Sequence, residues 1–177
     1  MVGNGPSYVD FKKVEESDFV VGCNLPQVPT DLTFIHDIRF INTISEKRLK
    51  IPCPAMVSQK IQNVINKKKL KYEHLLKVKG IIKKRQPIAP SSLSSGHHAV
   101  WWLIENGYNE IHIWGCDGLS MRTMDSETDK YVKVTIKSNK NHVLKHTEKW
   151  IKSWKSLMGK YKEVKFIFHN FKEGKLP

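Results

Sequence analysis

The chain has 177 residues, 40% of them hydrophobic and five of them tryptophan, which suits one packed domain over residues 1–177 and excludes a disordered chain. Lys and Arg number 30 against 17 Asp and Glu, a formal net charge of +13 whose field favours anionic substrates or polyanionic partners, nucleic acid among them. No apolar run of about 18 residues and no charged-then-apolar leader occur, so neither membrane span nor signal peptide is predicted and a cytoplasmic location is expected.

The chain opens Met1-Val2-Gly3-Asn4-Gly5-Pro6-Ser7, a short apolar start that breaks into a glycine turn. Two glycines around a polar residue let backbone come close to a ligand, and Pro6 sets the exit direction. An ordinary Asn-Gly turn would look the same. Tyr8 to Glu16 reads as a short helix. The strand, glycine loop and helix are those of a nucleotide-binding α/β domain, although neither the third glycine of G-x-G-x-x-G nor the G-K-[ST] of a P-loop is present.

Phe19 to Asn24 is predicted as a buried strand closed by Pro26 and Pro29, and Thr33 to Ile35 as another. Asn24 at a strand end can donate and accept at once, as a ribose, phosphate or base edge requires, or can serve an Asx turn. His36 and Asp37 follow the next strand; they suit proton transfer, or they cap the helix predicted over Ile38 to Lys47. Pro54 to Val57 is read as a fourth strand and Gln59 to Lys69 as a helix. The basic tract from Lys67 to Arg85 contains only Tyr72 as an aromatic, so it reads as a solvated face rather than a stacking platform for single strands.

Ser94 or Ser95 sits where an N-cap belongs, before an apolar run that returns at helical spacing and stops at Gly107. Ser94, Ser95 and Gly96 leave amide N–H groups and the positive end of a helix dipole free for a phosphate, or form a plain serine cap. Ile111 to Trp114 is a strand that ends in Gly115-Cys116-Asp117. Residues 118–141 are polar, with a strand predicted over Tyr131 to Ile136, and suit a lid. An amphipathic helix carries Val143, Trp150, Ile151, Trp154, Leu157, Met158 and Tyr161 on one side and lysines on the other. Val164 to Phe168 is the last strand, with His169 and Asn170 at its end. Cys23, Cys53 and Cys116 form neither a disulfide framework nor a zinc pair.

Apolar strands alternate with helices, and Asn4, Asn24, Asp37, Ser94, Asp117 and His169 gather at strand carboxyl ends. The predicted fold is therefore α/β, a Rossmann-like, mostly parallel sheet with helices on both faces, in a single domain with a reduced lid. One rim carrying amides, backbone N–H groups and imidazoles suits a nucleotide or nucleotide-sugar.

The blocks V-G-N-G-P-S, F-V-V-G-C-N, and S-S-G followed by G-Y-N-E-I-H-I-W-G-C-D resemble the bacterial sialyltransferases of glycosyltransferase family 42. Similar blocks occur in family 29-like transferases and in pterin pyrophosphokinase-like (DUF115) proteins. The resemblance implies a CMP-sugar or related nucleotide donor held by Gly3, Asn4, Gly5, Asn24, Ser94, Ser95 and Gly96; Ser7, Asp37 and Asp117, beside them in the chain or at strand ends, complete the candidate binding set. It implies no essential metal and an inverting transfer to an acceptor hydroxyl, with His169, His36 or His97 as general base. A non-catalytic nucleotide or nucleic-acid binder on the same scaffold is the alternative. A pterin pyrophosphokinase-like enzyme, with magnesium on Asp37 and Asp117, is a second.

Overall fold

The computed structural model describes residues 1–13, 15–16, 18–83, 93–120, 140–169, 174 and 176. Four strands, β1 (Val21–Cys23), β2 (Leu32–Ile35), β3 (Ala55–Val57) and β4 (Val78–Ile81), pair in that order, all parallel. A second parallel pair is β5 (Glu110–Ile113) with β6 (Lys165–Phe168). Val2 joins the two sets through parallel bridges to Gly22 on one side and Trp114 on the other. Its amide donates to Val21 O at 2.8 Å, and the Trp114 amide donates to Met1 O at 2.9 Å. The spatial order is thus β4, β3, β2, β1, Val2, β5, β6. Successive strands step away from Val2 in one direction as far as β4, then the chain returns and continues on the other side.

Helices cover both faces because the strand side chains alternate. Leu32 and Phe34 of β2 join Val21, Cys23, Ile111, Ile113 and Phe168 in a core under α4 (Ser95–Glu105) and α5 (Lys140–Lys160). Ile35, Ala55 and Val57 face the other way, against Phe40, Ile41 and Ile44 of α1 (Ile38–Glu46) and Ile61 of α2 (Gln59–Lys67). A single turn, α3 (Lys69–Tyr72), adds Tyr72 to this second core. The Asp37 side chain caps α1 by accepting from the Arg39 amide at 2.9 Å, and Ser58 caps α2 through the Ile61 amide at 3.4 Å. In α5, Trp154 and Leu157 are buried while Lys149, Lys152 and Lys155 are exposed, as the amphipathic pattern predicts. None of the described helices is long and apolar enough to cross a membrane.

Two elements differ from the sequence expectation. The helix expected over Tyr8 to Glu16 is only a 3₁₀ turn, Pro6–Asp10, after which Phe11 turns in to meet the edge of Trp114 at 5.9 Å between ring centroids. β4 lies inside the tract read as a basic face, where Lys77 and Lys79 interrupt an apolar run on an edge strand. Most of the expected lid, including the strand predicted over Tyr131 to Ile136, lies outside the described residues.

Candidate functional site

An open parallel sheet offers a ligand crevice where neighbouring strands lead their connections to opposite sides. Here that point is the carboxyl end of the Val2 segment, between the ends of β1 and β5. The loop Gly3 to Ser7 lines it and is fastened to the loop after β5. Gly3 N donates to Trp114 O at 2.8 Å, Gly5 N to Gly115 O at 2.8 Å, and the Ser7 amide and hydroxyl donate to Asp117 Oδ2 at 3.1 and 2.9 Å. A Cβ on Gly3 would collide with Gly115 O, and one on Gly5 with both Gly115 O and the Asp117 carboxylate. Gly115 holds φ 65°, where a Cβ would in turn strike Gly3. These glycines therefore let two protein loops lie against each other, and Asp117 anchors the turn that starts at Pro6.

Asn4 stands at the centre of this arrangement. Its Nδ2 donates to Cys23 O at 2.7 Å, while its Oδ1 is buried with no hydrogen-bond partner. A buried acceptor without a donor costs about 1–3 kcal/mol. Beside it, Asn24 adopts the left-handed conformation at φ 53°, with its amide on Phe34 O at 2.9 Å. The Ser95 hydroxyl donates to Asn24 Oδ1 at 3.4 Å and accepts from the His36 amide at 3.3 Å. Ser95 thus pins the start of α4 over the ends of β1 and β2. The first bond within α4 is His98 N to Ser94 O at 3.3 Å, so the amides of Ser95 and Gly96 fall in the turn that a helix leaves unpaired, while that of His97 donates to the Ser94 side chain.

The three candidate histidines are separated by their surroundings. His97 is 1% exposed, and its ring stacks on Trp154 at 4.5 Å. Its Nδ1 accepts from the Ser94 amide at 3.2 Å and lies 2.8 Å from Ser94 Oγ, which closes a capping box. Burial pushes the imidazole down to about 3, against the pull of the Trp150 backbone. Ser94 and His97 Nδ1 therefore serve the helix start, and Gly96 turns inward towards Met1 and Trp154. His36 is exposed on the rim and stacks on His98 at 4.8 Å; lost solvation lowers its pKa against the opposing charge of Asp37. Asp37 faces its own helix. Lost solvation raises its carboxyl, but hydrogen bonds from the Arg39 side chain, 2.6 Å at the closest, and backbone outweigh this and leave it lowered.

No family model, curated protein or solved structure matches the chain.

His169, at the end of β6, belongs to an array that the sequence reading left out. Its ring lies parallel to Trp114 at 3.7 Å, and its Nε2 is 2.7 Å from His112 Nδ1. His112 Nε2 is 3.0 Å from Glu110 Oε1, and Lys165 Nζ donates to Glu110 Oε2 at 3.0 Å. Hydrogen bonds from Lys165 and His112 lower the Glu110 carboxyl, so it is a carboxylate. Lost solvation, then the neighbouring His112, lowers His169. Strand alternation was the available signal, since in E-I-H-I-W the first, third and fifth residues share a face. A cleft of about 160 Å³ on the amino-terminal side of this face, lined by Phe11, Lys12, Lys13 and Tyr108, also touches Glu110, His112 and Trp114.

The structure therefore brings Gly3, Asn4, Gly5, Ser7 and Asp117 together as one unit and Asn24, Ser95 and His36 as a second beside it. Ser94, Gly96 and His97 serve the helix start, Asp37 serves α1, and His169 sits on the Trp114 side. Among the described residues, no group of three or more His, Cys, Asp and Glu is placed to hold a metal.

Proposed function

We propose that the chain binds a nucleotide at the crevice between β1 and β5 and acts as a sialyltransferase-like, CMP-sugar-dependent transferase. The observation that carries this reading is the buried, partnerless Asn4 Oδ1 at the strand-order switch, an acceptor that a ribose hydroxyl or base amino group would satisfy. The unpaired amides at the start of α4 and the Ser95 hydroxyl beside them suit a phosphate. In the reaction, an acceptor hydroxyl oxygen forms a bond to the anomeric carbon as the bond from that carbon to the phosphate oxygen breaks. The electron pair leaves with the nucleotide phosphate, facing the helix N-terminus, and a rim histidine takes the hydroxyl proton.

The test is thermal denaturation with CMP, CDP, CTP, UDP, GDP and ATP, with and without magnesium, beside short DNA and RNA at two salt concentrations. A ligand of the native state at a hundred times its Kd adds about 2.7 kcal/mol and raises Tm. A magnesium-independent rise with CMP or CDP, lost in Ser95→Tyr while the fold is kept, is expected. Unchanged CMP affinity in Ser95→Tyr removes the helix start from the site. A rise only with nucleic acid, lost at high salt, transfers the function to the +13 surface, and one that needs ATP and magnesium favours pyrophosphate transfer.

A further inference from the structure

Both His36 and His169 stand at the carboxyl rim, but they are held differently. His36 is held by stacking on His98, while His169 is held by a chain of hydrogen bonds that runs along β5 to a carboxylate. We propose that Glu110 and His112 are positioning residues that hold His169 as the proton acceptor of the carboxyl rim, with Nδ1 as the accepting atom. The nature of the proton donor, an acceptor-substrate hydroxyl, rests on the transferase reading above; the relay itself does not.

The tautomers follow from the ends of the chain. A carboxylate can only accept, so His112 Nε2, 3.0 Å from Glu110 Oε1, carries a hydrogen. A neutral His112 then has a bare Nδ1, and the hydrogen bond at 2.7 Å must come from His169 Nε2–H. That leaves the lone pair of His169 on Nδ1. When Nδ1 takes a proton, the positive charge is shared along the chain: His169 can pass its Nε2 proton to His112 Nδ1, and the imidazolium so formed rests on the Glu110 carboxylate. No step protonates the carboxylate. Lys165 holds the other Glu110 oxygen at 3.0 Å, and Trp114, flat against the ring at 3.7 Å, fixes its plane. The remaining charged groups near the chain are Lys12, Lys13 and Asp18 around the cleft, and the Met1 amino group, which donates to His112 O at 2.6 Å.

The experiment is nitrogen-15 NMR of the histidine-labelled full chain, titrated from pH 8 to 5, for the wild type, Glu110→Gln and Glu110→Asp. The Asp variant withdraws the carboxylate by one methylene while keeping its charge. The wild type is expected to show His169 with a bare Nδ1 and protonated Nε2. In Glu110→Gln, that preference is lost and the titration of His169 moves to lower pH, the direction expected when a carboxylate is withdrawn from the chain. A wild-type His169 protonated on Nδ1 overturns the relay, and so do titrations in both variants that superpose on the wild type. CMP-induced shifts in Tm on the same three proteins report the nucleotide crevice separately. A relay signature without a CMP response upholds this assignment and rejects the transferase reading alone.

Discussion

His97 makes the fold sensitive to acid, and His97→Gln should remove that sensitivity. The imidazole is 1% exposed and pushed down from its ordinary 6.5 to about 3 by burial, so the native state keeps it neutral where the unfolded chain protonates it. Between these values the unfolded state binds the extra proton, so stability falls as pH falls, by about 1.4 kcal/mol per unit; above 6.5 both states are neutral and the effect vanishes. At pH 4.5, two units below the unfolded value, the loss comes to about 2–3 kcal/mol, a large share of the ~5–15 kcal/mol that holds a domain folded. Glutamine is the informative replacement because it completes the Ser-x-x-Gln capping box with Ser94 and carries no titration. It forfeits the stack on Trp154, which costs about 1 kcal/mol at pH 7. Urea unfolding followed by tryptophan fluorescence at pH 7, 6, 5 and 4.5 reads both effects. The wild type should begin more stable and lose its lead on acidification, with the curves crossing at about pH 5.8. A constant difference between the two proteins across that range would show that the buried imidazole does not govern acid stability.

Trp154→Ala removes a side chain 2% exposed, stacked on His97 and edge-on to Phe168 at 5.5 Å, and should cost about 3–5 kcal/mol in urea unfolding. A midpoint equal to the wild type's would mean that α5 does not pack as described. Gly5→Ala forces a methyl into Gly115 O, 2.8 Å from the ideal Cβ position, and into the Asp117 carboxylate, so it should part the two loops. The expected result is about 1–3 kcal/mol of lost stability, on the scale of other overpacking changes. A thermally unshifted Gly5→Ala protein would show that the loops separate without cost.

Much of the architecture was legible because buried parallel strands have a plain signature. Leu32 to Ile35 and Ala55 to Val57 are buried or half-buried along both faces with Thr33 as their one polar side chain, Ile111 and Ile113 flank a half-buried His112, and the helices between the strands carry Asp37, Ser58 and Ser94 at their starts. β4 escaped because an edge strand needs only half a burial pattern, and Lys77 and Lys79 gave it the look of a charged surface. The loop residues Gly3, Asn4, Gly5 and Asp117 were found by their place at strand ends, but the close approach they permit is to another loop of the same chain. That pairing joins residues more than a hundred positions apart, which local pattern cannot register. Glu110 and His112 were passed over for the same reason: their meaning depends on His169 and Lys165, brought alongside by the register of β6 on β5.

The position of Val2 also sets the order in which the protein can fold. The strands β1 to β4 and their helices form a run of neighbours in sequence, but the middle of the sheet is completed only when Met1 and Gly3 exchange hydrogen bonds with Trp114. Closing a loop of that length must be settled before those contacts return anything, so sheet closure is the slow, entropy-limited event. Until residues 110–114 arrive, Met1 to Gly3 present a bare backbone edge to solvent, and a chain stalled at that stage exposes the strand edge on which a newly made protein is prone to aggregate.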